Sequence, residues 1–76
     1  AITIKRDFVK AYSSRGNIYF KQKNYERALL DYNKAILLDN SNANFYYNRG
    51  LTHQQLRNKN EACQDLQKAK TLGMNE

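Results

Sequence analysis

Two stretches of the chain are one unit written twice. YSSRGNIYFKQKNYERALLDYNKAILLD (Tyr12 to Asp39) and YYNRGLTHQQLRNKNEACQDLQKAKTLG (Tyr46 to Gly73) stand 34 residues apart. Between 9–42 and 43–76 the identities are Tyr12/Tyr46, Arg15/Arg49, Gly16/Gly50, Asn24/Asn58, Ala28/Ala62, Asp31/Asp65, Lys34/Lys68, Ala35/Ala69 and Leu38/Leu72. Chance supplies roughly two or three. The opening AITI extends the pattern: Ala1 and Ile2 match Ala35 and Ile36, and Ile4 stands for Leu38. A period of this length means stacked units that bury a core only by packing on one another. The chain is therefore expected to hold a remnant of a preceding unit (1–8), a whole unit (9–42) and a second whole unit (43–76).

Each unit spells two helices. Asp7 is placed to cap a first helix running to about Gln22. Asn24 is placed to cap a second, in which Tyr25, Ala28, Leu29, Tyr32, Ala35 and Ile36 recur at the spacing of one helical face. The turn cluster DNSN (39–42) supplies the next cap, predicted at Ser41, for a third helix to about Leu56. Asn58 and Glu61 have capping-box spacing before a fourth, which ends at Leu72 with Gly73 as its left-handed stop. Gly16 and Ala28, like Gly50 and Ala62, are the small residues that antiparallel helices need for close approach. Ala35 and Ala69 are expected to do the same between units, with Tyr12, Tyr19 and Tyr32 filling space around the contact.

Composition bounds the function. With 76 residues and no proline, the chain makes one small helical domain whose core is marginal by itself. No apolar run is long enough for a membrane span, and the opening AITIKRDF lacks a leader's apolar core. A single cysteine, Cys63, excludes an internal disulfide and disfavours a cysteine metal site; a cytoplasmic location fits. The net charge of +6 favours acidic partners, but the basic residues are scattered as on a solvated surface. Nothing assembles a catalytic centre, so no enzyme and no cofactor is expected. His53 replaces Tyr19, which marks a packing position, and Cys63 replaces Leu29, which marks a small buried one. Asp31 and Asp65 recur because the unit recurs, and Arg15 and Arg49 are their natural structural partners.

These residues resemble the tetratricopeptide repeat, a 34-residue pattern with an aromatic, a glycine, a second aromatic, an alanine and a third aromatic at fixed offsets. The first unit offers Tyr12, Arg15, Gly16, Tyr19, Ala28, Tyr32 and Asn40; the second offers Tyr46, Arg49, Gly50, His53, Ala62, Leu66 and Met74. Asn40 and Met74 replace the family's closing proline. The resemblance implies an all-α fold, antiparallel helix pairs stacked as a short right-handed α-solenoid. It also implies non-enzymatic binding of a peptide or protein segment, acidic by preference, on the concave face. By alignment the first unit gives that groove Lys10, Ser13, Asn17, Phe20 and Lys21, and the second gives Asn44, Tyr47, Asn48, Leu51 and Gln55. An asparagine amide both donates to and accepts from a peptide backbone. One subgroup of the family clamps the carboxylate end of chaperone tails. Asn17 and Asn48 match two of its asparagines, but Ser13 stands where that clamp has lysine.

Two other readings follow from the residues. The last helix is the more polar, with Gln64, Lys70 and Thr71 where the second helix has Leu30, Ile36 and Leu37, as in the terminal unit of an array. The opposite end, with Ile2, Ile4, Phe8 and Tyr12, lacks a preceding unit. Self-assembly through that end, by homo-oligomer contacts or helix exchange, is therefore the alternative function. Nucleic-acid binding by tyrosines and lysines is a third and weaker reading, because Tyr12, Tyr19, Tyr32 and Tyr46 are assigned to packing.

Overall fold

A computed structural model of the chain describes residues 2–73, with side chains from Asp7 onward. Four helices follow in order: α1 Ile2–Lys21, α2 Tyr25–Leu38, α3 Ala43–Gln55 and α4 Lys59–Thr71. They form two antiparallel pairs, α1 with α2 and α3 with α4, and the pairs stack chiefly through α2 against α3. Among the described residues none is in a strand, and no helix is long and apolar enough to cross a membrane. This is the all-α repeat architecture expected from the period.

The turn inside each pair is the same device used twice. The N–H groups of Lys23 and Asn24 donate to the carbonyls of Phe20 and Tyr19, and those of Arg57 and Asn58 donate to Gln54 and His53. This crossed pair of bonds is the Schellman ending, which puts its first non-helical residue in the left-handed region. Lys23 (φ 64°) and Arg57 (φ 65°) occupy that position, where glycine is the usual residue. Gly73, at φ 107°, ends α4 as predicted.

The core joins the pairs. Val9 of α1, Ala35 and Ile36 of α2, Phe45 and Tyr46 of α3 and Ala69 of α4 form one buried cluster. Ala35 and Ala69 thus pack between units as expected. The glycines allow the close approach expected of them. A Cβ on Gly16 would meet the Tyr32 ring at 2.8 Å, and one on Gly50 would meet Leu66 at 3.0 Å. Each glycine makes room for the residue 16 positions on, while Ala28 and Ala62 are buried beside it.

Several local expectations are corrected. α1 begins at Ile2, so Asp7 lies inside it and caps nothing, because no glycine or proline interrupts ITIKRD. The cap of α3 is Asn42, whose side chain accepts from the Asn44 N–H at 2.9 Å; Ser41 is drawn instead to Asp39, donating its hydroxyl at 2.9 Å. Asn24 and Asn58 start α2 and α4 without a side-chain capping bond, and the Asn58 amide lies 3.3 Å from His53 Nδ1. Cys63 is exposed rather than a small buried residue, and the equivalent Leu29 is only partly buried. Met74 and the side chains of Ile2 and Ile4 lie outside the described residues.

Candidate functional site

Helical spacing puts the ten predicted groove residues on one face of each first helix. Residues 13, 17, 20 and 21 stand three, seven, ten and eleven after residue 10 along α1, and 47, 48, 51 and 55 stand three, four, seven and eleven after residue 44 along α3. α1 and α3 touch at a narrow contact. None of the ten is buried: Lys10, Asn17, Lys21, Asn44 and Gln55 are exposed, and Ser13, Phe20, Tyr47, Asn48 and Leu51 are partly so.

Some of their bonding capacity is already used. The Tyr32 hydroxyl donates to Asn17 Oδ1 at 2.5 Å, which fixes that carbonyl and leaves the amide N–H groups without a partner among the described residues. Ser13 donates its hydroxyl to the Lys10 carbonyl at 3.1 Å. Phe20 packs edge-on against Tyr25, with ring centres 5.2 Å apart, and Tyr47 leans on the core cluster. Burial, and secondarily the Asp31 charge, push the Tyr32 phenol up to about 12, so it stays a donor at neutral pH.

A repeated ion pair locks each helix pair from within. Arg15 Nε and Nη2 each donate to Asp31 at 2.8 Å; Arg49 Nε and Nη2 donate to Asp65 at 2.8 and 2.7 Å. The facing carboxylate raises both guanidinium pKa values, first by these hydrogen bonds. Asp31 and Asp65 are buried. They are thus committed structurally, as the sequence implied, rather than poised for acid–base chemistry. His53 Nε2 lies 3.7 Å from Asp65, and the His53 side chain is only 13% exposed, a packing position.

The clefts lie mostly elsewhere. One of about 520 Å³ opens between α1 and α2, walled by Tyr12, Arg15 and Tyr19 on one side and by Leu30, Lys34 and Leu37 on the other. A second, of about 770 Å³, lies on the outer side of α3 and α4 around Arg57, Cys63, Leu66 and Lys70. A third, shallow and polar, is formed by 39–44 with Leu72 and Gly73; of the ten groove residues, Asn44 alone lines one of these three. The first cleft was missed because Tyr12 and Tyr19 read as packing residues. The available signal was the replacement of Leu30 and Leu37 by Gln64 and Thr71 in the second unit.

A family model described as "TPR repeat" matches residues 16–56, and one described as "Tetratricopeptide repeat" matches residues 43–72. The chain is 40% identical over 62 residues to human "Protein O-mannosyl-transferase TMTC3", covering 82% of this chain and 7% of that protein. It is 40% identical over 58 residues to "Stress-induced-phosphoprotein 1" of Caenorhabditis elegans, covering 76% and 18%. It is 50% identical over 50 residues to "Hsp70-Hsp90 organising protein" of Plasmodium falciparum (isolate 3D7), covering 66% and 9%. The chain thus spans less than a fifth of the length of each of these relatives.

Proposed function

Since the chain belongs to the tetratricopeptide repeat family, we propose that it is a non-enzymatic module binding an extended peptide or protein segment across these faces of α1 and α3. The observation that carries this reading is the row of uncommitted amides on a face that packing does not consume. Asn17 offers its N–H groups, and among the described residues the Asn44 and Asn48 side chains make no hydrogen bond. An extended segment presents alternating donors and acceptors, which such amides match. Tyr47 and Leu51 supply apolar contact, and Lys10 and Lys21 favour acidic residues in the ligand. The name of the Plasmodium relative refers to Hsp70 and Hsp90; we carry over only that the partner is protein. With Ser13 in place of lysine, the reading does not require a terminal carboxylate.

The test is a peptide array of short acidic and neutral sequences, with hits remeasured by calorimetry. Asn17→Ala combined with Asn48→Ala should weaken the best hit at least about tenfold, the loss of one or two good hydrogen bonds. Retained helicity is checked by circular dichroism. Unchanged affinity in the double variant sinks the reading.

A further inference from the structure

Tyr32 belongs to α2, is buried, and reaches across to α1, where its hydroxyl meets Asn17 Oδ1. A phenol has one proton to donate, and a buried donor without an acceptor costs the full desolvation of that group. Among the described residues the Asn17 carbonyl is the acceptor that Tyr32 has. Turning the amide over would set its N–H groups against the hydroxyl oxygen and strand the phenolic proton. The bond therefore decides which way Asn17 points, with its oxygen toward Tyr32 and its N–H groups toward solvent. Burial, and secondarily the Asp31 charge, keep the phenol protonated at neutral pH, so the bond keeps its sense there.

An asparagine amide ordinarily chooses between donating and accepting by rotating. Asn17 has lost that choice and can only donate. Asn48, whose side chain makes no hydrogen bond among the described residues, retains it. The repeat shows that the polar pair is not a requirement of the fold. In the second unit Asn17 is replaced by Leu51 and Tyr32 by Leu66, so both members change together. Neither leucine is buried, and Leu66 packs on Gly50 as Tyr32 packs on Gly16. Two leucines thus serve the same helix crossing. What the polar pair adds is a donor of fixed direction on an exposed residue.

We propose that Tyr32 is a positioning residue that sets the specificity of the groove: it holds Asn17 as a donor, so α1 takes segments that bring an oxygen acceptor there and rejects those that bring an N–H. The inference rests on the groove reading above and names the ligand chemistry that the groove selects. Tyr32 acts through Asn17 and touches no ligand itself.

The probes are the tightest neutral and acidic peptides of the array, each also made with one backbone amide at a time reduced to a methylene-amine. Reduction removes a carbonyl oxygen and leaves N–H groups. The carbonyl facing Asn17 is the one whose reduction penalty vanishes in Asn17→Ala. At that bond the penalty should be at least about tenfold larger in wild type than in Tyr32→Phe, because only wild type must strand a buried proton to turn the amide. Tyr32→Phe should weaken the parent peptide only about twofold, since a freed amide still points outward half the time. It should weaken nothing further in the Asn17→Ala background. Exchanging each peptide Asp or Glu for Ala, with the same comparison, tells a carboxylate oxygen from a backbone one, and either source fits the proposal. Phenylalanine keeps the ring, so circular dichroism should match wild type. In the free chain, 15N relaxation should find the Asn17 side-chain amide ordered in wild type and mobile in Tyr32→Phe.

Equal amide mobility in the two proteins overturns the proposal, as do equal reduction penalties at every bond with equal Asp and Glu penalties. A Tyr32→Phe loss that persists in Asn17→Ala shows a merely structural role and overturns it as well. Those outcomes leave the groove standing. If no array peptide binds wild type, or the asparagine pair has no effect, the groove falls and this inference falls with it.

Discussion

Replacing Gly16 by alanine puts a methyl carbon where the Tyr32 ring already lies. The new Cβ would stand 2.8 Å from Cε1, 3.0 Å from Cδ1 and 3.2 Å from Cζ of that ring, against about 3.5–4.0 Å for unstrained carbon contacts. The ring cannot swing away, because Tyr32 is 1% exposed and its hydroxyl is tied to Asn17. Relief must come from parting α1 and α2, and against a trapped ring the overpacking strain lies in the upper part of its usual range, about 2–3 kcal/mol. Alanine's higher helix propensity offsets about 1 kcal/mol of it. The expected net loss is about 1–2 kcal/mol, or about 4–15 °C in Tm for a domain of this size. Gly50→Ala should lose less, since the nearest atoms, Leu66 Cγ at 3.0 Å and Cδ2 at 3.1 Å, belong to a half-exposed side chain with rotamers to spare. The assay is urea and thermal unfolding followed by far-ultraviolet circular dichroism at one fixed protein concentration. The sharper test adds Tyr32→Leu, the second unit's own residue, to Gly16→Ala. If the ring is the obstacle, the two changes couple and the pair recovers more than half of the glycine loss. A Gly16→Ala variant as stable as wild type, or strict additivity in the double variant, would refute the steric account.

The ion pairs should differ in weight although their geometry is the same. Asp65→Ala leaves the half-buried Arg49 without its carboxylate and should cost about 2 kcal/mol, while Asp31→Ala leaves an exposed Arg15 that rehydrates and should cost less; equal urea midpoints would contradict this. Lys23→Gly and Arg57→Gly relieve left-handed backbone at φ 64° and 65°, and each should raise stability by about 0.5–1 kcal/mol after glycine's extra unfolded-state entropy; a lowered Tm for either would count against the turn assignment. Tyr32 supplies the pH prediction. Its folded pKa, about 12, lies above the ordinary tyrosine value of 10, so the neutral phenol is favoured by folding. That stability is full below about pH 10 and is lost as pH rises through 12. Urea midpoints from pH 9 to 12 should therefore fall more steeply for wild type than for Tyr32→Phe, and parallel curves would exclude the linkage.

Much of the fold was legible because its causes are local and stated twice. The 34-residue period, the 3.6-residue spacing on α2, the turn at 39–42 and the stop at Gly73 act within a few residues, so the ends of α2, α3 and α4 fell within about one residue of the predicted ones. The start of α1 did not, because ITIKRD carries no breaker and its only cue, Asp7, was equally at home inside a helix. The ten groove residues were legible as a face, but their commitments were not: that Asn17 is held by Tyr32, and Phe20 by Tyr25, depends on a second helix crossing at a particular height. Arg15 and Arg49 draw the limit most clearly. Both precede a glycine and both grip an aspartate 16 residues on, and all of that is written in the repeat. Yet one side chain is 58% exposed and the other 23%. The sequence by itself determined the helices, their pairing and the shared ion pair, because those interactions close within one unit. Only the tertiary structure decided which copy of each face is covered, because burial depends on what lies across the gap: Asn33 of α2 lies against Arg49, and among the described residues nothing lies so against the third guanidinium nitrogen of Arg15.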